Sequence, residues 1–214
     1  VDARNAFAAL YEAGISNWSA DLLSGLPQQS PGHWQRTLEE LLRFEPAHIS
    51  VYGLQIERGT RFEKLLGRGE LSLPSDADTV EMYTATCKLL MARGYDHYEN
   101  MSFARSPATR SRHNSRYWDN APYYAFGVGA TSSIFGKRFT RPYALAAYMR
   151  WVDTLSLNSL QGKIFGSGES TPEWRSEYLE DTVILSMRKA TGLSLLDIAS
   201  DIGHAEAQVI LEAC

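Results

Sequence analysis

The densest group of side chains able to do chemistry lies in the segment RHNSRYW. It combines an imidazole, an amide and two aromatic rings, in His113, Asn114, Tyr117 and Trp118. A neutral imidazole can ligate iron, and flat aromatic rings can pack on a planar ring system. The alternative interpretation is structural, with the histidine and the tryptophan serving only to pack the chain. Composition alone leaves both interpretations open.

A second group of polar side chains lies at the ends of two predicted strands. Asp21 falls in or beside the first strand, just before the strand-ending residues G-L-P, and Gln55 and Glu57 lie at the end of the second strand. Ligands of β/α proteins bind at the carboxyl ends of parallel strands, which makes these residues candidates for a binding site. A charge that caps a turn, or a residue on a rim, is the alternative in each case.

The sequence contains no residues at the spacing typical of a metal site or a nucleotide-binding site. The two cysteines, Cys87 and Cys214, are far apart and predict neither a disulfide framework nor a metal cluster, which fits a reducing compartment. The segment FGVGATSS would let the backbone approach a ligand closely, but it lacks the G-x-G-x-x-G pattern. The histidines outside the RHNSRYW segment are expected to be structural or on the surface.

The elements that position these residues alternate between helix and strand. The pattern predicts a helix over 3–13, a strand that ends near residue 24, a helix from Ser30 to Phe44 and a second strand over 48–56. Helices of this length between strands imply parallel strands joined by right-handed crossovers. A long helix capped at Ser75 or Asp76 follows, and then a strand-like run over 95–103.

Beyond residue 105 the sequence becomes rich in polar, aromatic and turn-forming residues. Short strand candidates lie in FGVGATSSIFGKRFTRP, a helix is predicted over 142–156, and two or three helices follow from residue 172. We therefore expect three regions, over residues 1–105, 106–164 and 165–214. Because the chain starts inside a predicted helix and ends without a helix cap, we expect it to be a fragment.

Composition sets the class of protein. The chain has 214 residues, a formal net charge of −4, 44% hydrophobic and 21% charged residues, which is ordinary for a globular domain. It lacks the basic balance of a nucleic-acid binder and any apolar run of about 18 residues. Nucleic acid is therefore not an expected partner.

Five segments together resemble a known family. In chain order they are DLLSGLPQQSPGHWQRTLEELL, HISVYGLQIERGTRF, YDHYENMSFAR, RHNSRYW and GVGATSSIFGKRFTRP. They are similar to the later part of the radical S-adenosylmethionine proteins related to oxygen-independent coproporphyrinogen III oxidase. The H-N-x-x-Y-W pattern marks the HemW-like heme chaperone branch of that family, and YYAFGVGATSSIFGKRFTRP is most similar to cyanobacterial and plastid members.

The resemblance implies a fold and cofactors. The fold is the later part of a partial β/α (TIM-like) barrel followed by a small, mostly helical C-terminal domain. The cofactors are S-adenosylmethionine and a 4Fe-4S cluster. Asp21, Gln55 and Ser133 match positions that hold S-adenosylmethionine, and the segment with His113, Asn114, Tyr117 and Trp118 is the expected heme site, with His113 as the iron ligand.

Departures from the family pattern limit what this chain can do. The cluster motif C-x-x-x-C-x-x-C is absent, and an iron–sulfur cluster requires thiolates, so we expect the chain alone to be inactive. Gln28 stands where the family has glycine, which suggests a slightly different turn. Thr131 stands where the family has histidine, which removes one heme ligand.

Two functions follow from the resemblance. The first is a heme-binding chaperone that delivers heme to target proteins. The alternative is an oxidase that decarboxylates the propionates of coproporphyrinogen III, so whether the parent is an enzyme stays open. The expected partners are heme and heme-accepting proteins, with membrane contact only through those proteins and an unassigned oligomeric state. The expected location is the cytoplasm, or the plastid stroma in a photosynthetic eukaryote.

Overall fold

The computed structural model describes residues 3–134, 137–160, 172–201, 203–205 and 207–208. The chain divides into two compact units, residues 1–111 and 112–214, which are described separately. The expected regional boundaries at 105 and 165 stay predictions, and residue 165 lies outside the described residues.

The first unit contains a four-stranded sheet in the order β1-β2-β4-β3. Its strands are β1 (Ser19–Ser24), β2 (His48–Gly53), β3 (Asp96–Glu99) and β4 (Ser102–Ala104). Its helices are α1 (Ala3–Glu12), α2 (Pro31–Leu42), α3 (Arg61–Gly67) and α4 (Asp76–Ala92). The polar composition around α3 gave no prediction of a helix there.

The parallel pair predicted from the sequence is confirmed. β1 and β2 are parallel, with Asp21 opposite Ser50, and α2 connects them. The Ser30 side chain accepts a hydrogen bond from the His33 N–H at the start of α2, and Pro31 occupies the first helical position, where its missing N–H costs nothing. One face of α2 is buried, as its apolar spacing predicts.

The run over 95–103 is a hairpin, so the prediction of a single strand there is wrong. A turn at Asn100 and Met101 separates β3 from β4, and β4 runs antiparallel to β2. This turn was not predicted from the sequence because neither residue is a glycine or proline. The β3–β4 register also shifts between His97 and Glu99, and this bulge turns Tyr98 and Glu99 toward the same face of the sheet.

The core of the first unit lies between one sheet face and two helices. Its buried side chains come from three strands, two helices and the turn that follows α4: Ala20, Leu41, Leu42, Ile49, Leu90, Tyr95 and Phe103. A neighbouring cluster joins Trp34 and Leu38 of α2 to Met82 of α4. The opposite face of the sheet is therefore left for polar side chains.

The second unit combines a hairpin with helices. Its strands are β5 (Thr131–Ile134) and β6 (Lys137–Thr140), and its helices are α5 (Arg112–Trp118), α6 (Leu145–Leu160), α7 (Pro172–Ser186) and α8 (Leu195–Asp201). The strand candidates and the tail helices were predicted, whereas α5 lies in a segment predicted to be irregular. Among the described residues, none of the helices has the length and apolar character needed to cross a membrane.

Candidate functional site

Helix α5 brings His113 and Tyr117 onto one face. The two residues are one helical turn apart, and the His113 ring meets the Tyr117 ring edge-on with 4.9 Å between centroids. Tyr117 in turn meets Tyr123 edge-on at 4.7 Å. His113 itself is exposed. The helix thus presents an accessible imidazole beside two aromatic rings.

Contacts with the α7 region hold α5 in place. Asn120 follows α5 in a left-handed conformation, with φ of 48°, and its Nδ2 donates to Thr182 Oγ1 at 3.0 Å. The Lys189 ammonium lies 2.8 Å from the Asp119 carboxylate. The guanidinium of Arg188 lies over the Trp118 ring at 4.9 Å. Trp118 therefore serves in anchoring the helix, while the His113 face stays accessible.

Two basic residues flank His113 along α5. Arg112 and Arg116 are both exposed, and Arg116 donates to the Pro122 carbonyl oxygen at 3.3 Å. Asn114 lies between them and is half-buried. Helix α5 thus carries two exposed cationic side chains within three residues of His113 in sequence.

Ser133 lies behind the same aromatic cluster. It is only 5% exposed, and its N–H and carbonyl oxygen pair with the carbonyl oxygen and N–H of Tyr123 at 3.0 and 2.7 Å. Tyr123 therefore connects the β5 strand to the ring pair of His113 and Tyr117. Within the second unit, the structure thus connects Ser133 and His113, which the sequence suggested as separate candidates.

Arg141 is a buried cation that sequence reasoning missed. It is 7% exposed, and its guanidinium donates to Ser132 Oγ at 2.8 Å. The same group lies 5.3 Å from the centroids of the Phe139 and Trp151 rings. The only sequence signal is its place at the end of a strand, where side chains alternate between buried and exposed positions.

The FGVG segment forms a fixed loop with exposed apolar side chains. The Ala125 N–H donates to Ser132 Oγ, and the Gly129 N–H donates to the Pro142 carbonyl oxygen. Gly129 has φ of 67°, and a Cβ there would lie 2.7 Å from the exposed Tyr143 ring, so a larger residue would be strained and would displace that ring. Phe126 is nevertheless 84% exposed.

Asp21 and Gln55 lie on neighbouring strands but at different heights. Both side chains are exposed. Asp21 is the third residue of β1 and pairs with Ser50, whereas Gln55 follows the end of β2. Gln55 lies five residues beyond Ser50 along the chain, past the end of β2 at Gly53. The strand register therefore does not place these two residues opposite one another.

The turn after β1 contains Gln28 at φ of 64°. This left-handed conformation favours glycine and costs an ordinary residue roughly 1–2 kcal/mol. The family glycine expected at this position would relieve that strain.

The polar face of the sheet contains a buried hydrogen-bond chain. His48 Nδ1 lies 2.9 Å from Ser19 Oγ, and His48 Nε2 lies 2.8 Å from the Tyr98 hydroxyl. The Ser111 N–H donates to that hydroxyl at 2.9 Å. Burial lowers the pKa of His48, against smaller opposing effects of Glu99 and Asp21. His48 is thus neutral and structural, as the sequence suggested.

An adjacent row of this face is also polar. The register aligns Asp21, Ser50, Ser102 and Glu99 across the four strands. All but Asp21 are buried. Sequence reasoning missed the last three residues, because their alignment depends on the hairpin and its bulge.

The chain does not fit an iron–sulfur cluster. Within the described residues, no three histidine, cysteine or acidic side chains come together as a metal site. The chain has two cysteines; Cys87 is a free thiol, and Cys214 lies outside the described residues. Three closely spaced thiolates cannot be supplied by this chain.

The chain is similar along most of its length to curated proteins named heme chaperone HemW. That of Synechocystis sp. is 36% identical over 210 residues, which are 98% of this chain and 49% of the relative. That of Bacillus subtilis is 31% identical over 204 residues, 95% of this chain and 52% of the relative. No protein-family model matches the chain.

A second set of relatives has a different name. The radical S-adenosyl methionine domain-containing protein 1, mitochondrial, of Danio rerio is 34% identical over 182 residues, 82% of this chain and 39% of the relative. The chain therefore spans about half the length of the curated relatives it matches. The family resemblance predicted from the sequence is confirmed.

A solved structure shares the fold. The coproporphyrinogen III oxidase HemN from Escherichia coli, described as a radical SAM enzyme, matches 99% of this chain and 50% of its own with a TM-score of 0.69. The sequence identity is 20%, so this match concerns the fold alone. It confirms the predicted mixed α/β fold class, and the match to half of that chain is consistent with the later part of its fold.

Proposed function

This chain is homologous to HemW-like radical S-adenosylmethionine proteins over about half of their length. From that relationship we propose that the protein binds heme and delivers it to other proteins. His113 is the proposed axial ligand of the heme iron, which here is cargo. Heme-accepting proteins are the proposed partners. The proposed location is the cytoplasm, or the plastid stroma in a photosynthetic eukaryote.

The observation that carries the proposal is the exposed imidazole on α5. An axial ligand must reach iron from a surface that a flat macrocycle can approach, and His113 is exposed beside the rings of Tyr117 and Tyr123. Arg112 and Arg116 supply positive charge for the two heme propionates. Asn114 lies next to the ligand as a hydrogen-bonding group, and Trp118 packs the helix from behind.

S-adenosylmethionine is the proposed cofactor of the same protein, held by Asp21, Gln55 and Ser133. The exposed Asp21 carboxylate can accept hydrogen bonds from its amino and hydroxyl groups, and the exposed Gln55 amide can accept or donate them. Ser133 is buried and its backbone is paired with Tyr123, so its proposed hydrogen bond to the cofactor comes from the side-chain hydroxyl. When bound, this group supplies a sulfonium and, with an iron–sulfur cluster, radical chemistry.

The iron–sulfur cluster does not fit this chain, and no chemical step is assigned to it here. Its ligands are proposed to lie in the part of the relatives that this chain does not span. Only the fold shared with the coproporphyrinogen III oxidase supports the oxidase alternative, and we do not propose it.

A heme titration of the 214-residue chain tests the proposal. We expect one equivalent of hemin to shift the Soret band, and His113→Ala to abolish the shift. The matched control is His33→Ala, because His33 is also exposed on a helix but lies in the first unit. Absence of binding by the unmutated chain, or binding unchanged by His113→Ala, would overturn this assignment of the heme site.

A further inference from the structure

A thiol and an imidazole meet between α4 and β3. Cys87 Sγ lies 4.0 Å from His97 Nδ1, within hydrogen-bond reach for sulfur. Both residues are partly exposed. Neither belongs to the heme site or to the S-adenosylmethionine site proposed above.

The imidazole is oriented so that its basic nitrogen faces the thiol. His97 Nε2 lies 3.3 Å from the Asn100 carbonyl oxygen, which can only accept a hydrogen bond. Nε2 therefore carries the proton, and Nδ1 presents its lone pair to the Cys87 S–H. The His97 ring also stacks on Phe103 with 4.2 Å between centroids. A nucleophile, a base and a group that orients the base are thus present together.

Few other ionisable groups face this pair. Tyr83 lies beside it on α4; burial first, and then the nearby Cys87 sulfur, raise the pKa of the phenol, which stays protonated. On β3, Asp96 is paired with Arg110, and Glu99 lies on the opposite face of the sheet. Lys88 follows Cys87 in the sequence of α4 and is exposed.

We propose that Cys87 is a base-assisted nucleophilic thiol and a site of oxidative modification by hydrogen peroxide. His97 Nδ1 takes the thiol proton, and the thiolate sulfur attacks one peroxide oxygen. The S–O bond forms as the O–O bond breaks, and the leaving hydroxide takes the proton from His97 and departs as water. The thiol is oxidised to a sulfenic acid and the peroxide is reduced. His97 acts through the thiol and is a positioning residue and proton acceptor.

The test follows sulfenic acid formation on Cys87 in the 214-residue chain with Cys214→Ser, so that one thiol remains. Hydrogen peroxide is the oxidant, dimedone traps the product, and mass spectrometry locates it. At pH 7 we expect Cys87 to react at least ten times faster than free glutathione. A rate equal to that of glutathione would overturn the proposal.

Two variants separate base assistance from packing. His97→Phe keeps a ring to stack on Phe103 and removes the base, and His97→Gln is the second variant should the first not fold. We expect either folded variant to react about tenfold more slowly at pH 7 and to match the unmutated chain near pH 10, where ordinary thiols ionise without help. An equal slowing at both pH values would indicate altered access, and an unchanged rate would exclude His97; each result contradicts the proposal.

Discussion

His48 shows how one buried side chain fixes the polar face of the sheet. Its two ring nitrogens contact Ser19 on β1 and Tyr98 on β3, while the residue itself belongs to β2. Burial lowers its pKa below the ordinary value of 6.5, so the folded state favours the neutral ring. The chain Ser111 to Tyr98 to His48 to Ser19 is complete with a neutral imidazole, since Nε2 can accept the tyrosine proton and Nδ1–H can donate to Ser19.

Acid should therefore destabilise the first unit through His48. In the unfolded chain this imidazole takes up a proton as the pH falls through about 6.5, whereas the folded state resists it. The unfolded state then binds more protons, and the free energy of unfolding falls below pH 6.5. Urea denaturation at pH 7.5 and 5.5 should show this loss, and His48→Gln should reduce it. The same loss in His48→Gln and in the exposed-site control His33→Gln would exclude His48 as its source.

A buried hydrogen bond joins helices α2 and α4 beside their apolar contacts. Trp34 Nε1 donates to Thr86 Oγ1 at 2.8 Å, and the threonine hydroxyl donates in turn to the Met82 carbonyl oxygen. Trp34 and Thr86 are each 1% exposed. Thr86→Val keeps the shape but leaves the indole N–H without an acceptor, so we expect a loss of about 1–3 kcal/mol in the free energy of unfolding.

A double-mutant cycle checks this interpretation. In a Trp34→Phe background the N–H is already gone, so Thr86→Val should cost clearly less than it does alone. Thr84→Val, at an exposed position of α4, is the matched control and should change stability by under about 0.5 kcal/mol. Equal costs of Thr86→Val in both backgrounds would show that the hydrogen bond contributes nothing specific.

The elements that could be predicted are those whose pattern is local. Helix α2 has a capping serine, a proline at its first position and apolar residues at helical spacing, and β1 and β2 are bounded by turn-forming residues. Helix α5 was missed because its polar and aromatic residues lack an apolar stripe, although its contacts with α7 hold it. The β3–β4 turn was missed because Asn100 and Met101 carry only a weak turn signal.

The site residues divide in the same way. Asp21 and His113 could be named from motifs alone, because each lies in a segment that resembles the family. The pairs His48–Tyr98 and Cys87–His97 depend on strand register and on the β3 bulge, which no residue pattern displays. The burial of Arg141 could not be predicted either, because it depends on the aromatic rings that pack around its guanidinium.

Across the whole molecule, charge is unevenly distributed along the chain. The net charge is −4, yet residues 100–152 contain eight basic residues and a single acidic one, Asp119. Several of the arginines are paired within the structure, while Arg112 and Arg116 are exposed on the helix that carries His113. This distribution suits a ligand with an apolar ring and negative edges, as heme has in its two propionates.

Heme binding should therefore weaken with salt through its propionates. Raising NaCl from 50 to 500 mM shortens the screening length from over 10 Å to a few Å, so the attraction between the propionates and the exposed arginines should fall. We expect the Kd from Soret titration to rise severalfold, and Arg112→Ala with Arg116→Ala to remove most of that dependence. Heme dimethyl ester, whose propionates are uncharged, should bind with little salt dependence. An equal salt response of heme and its ester would mean that iron ligation and ring packing alone hold the ligand, with no contribution from these arginines.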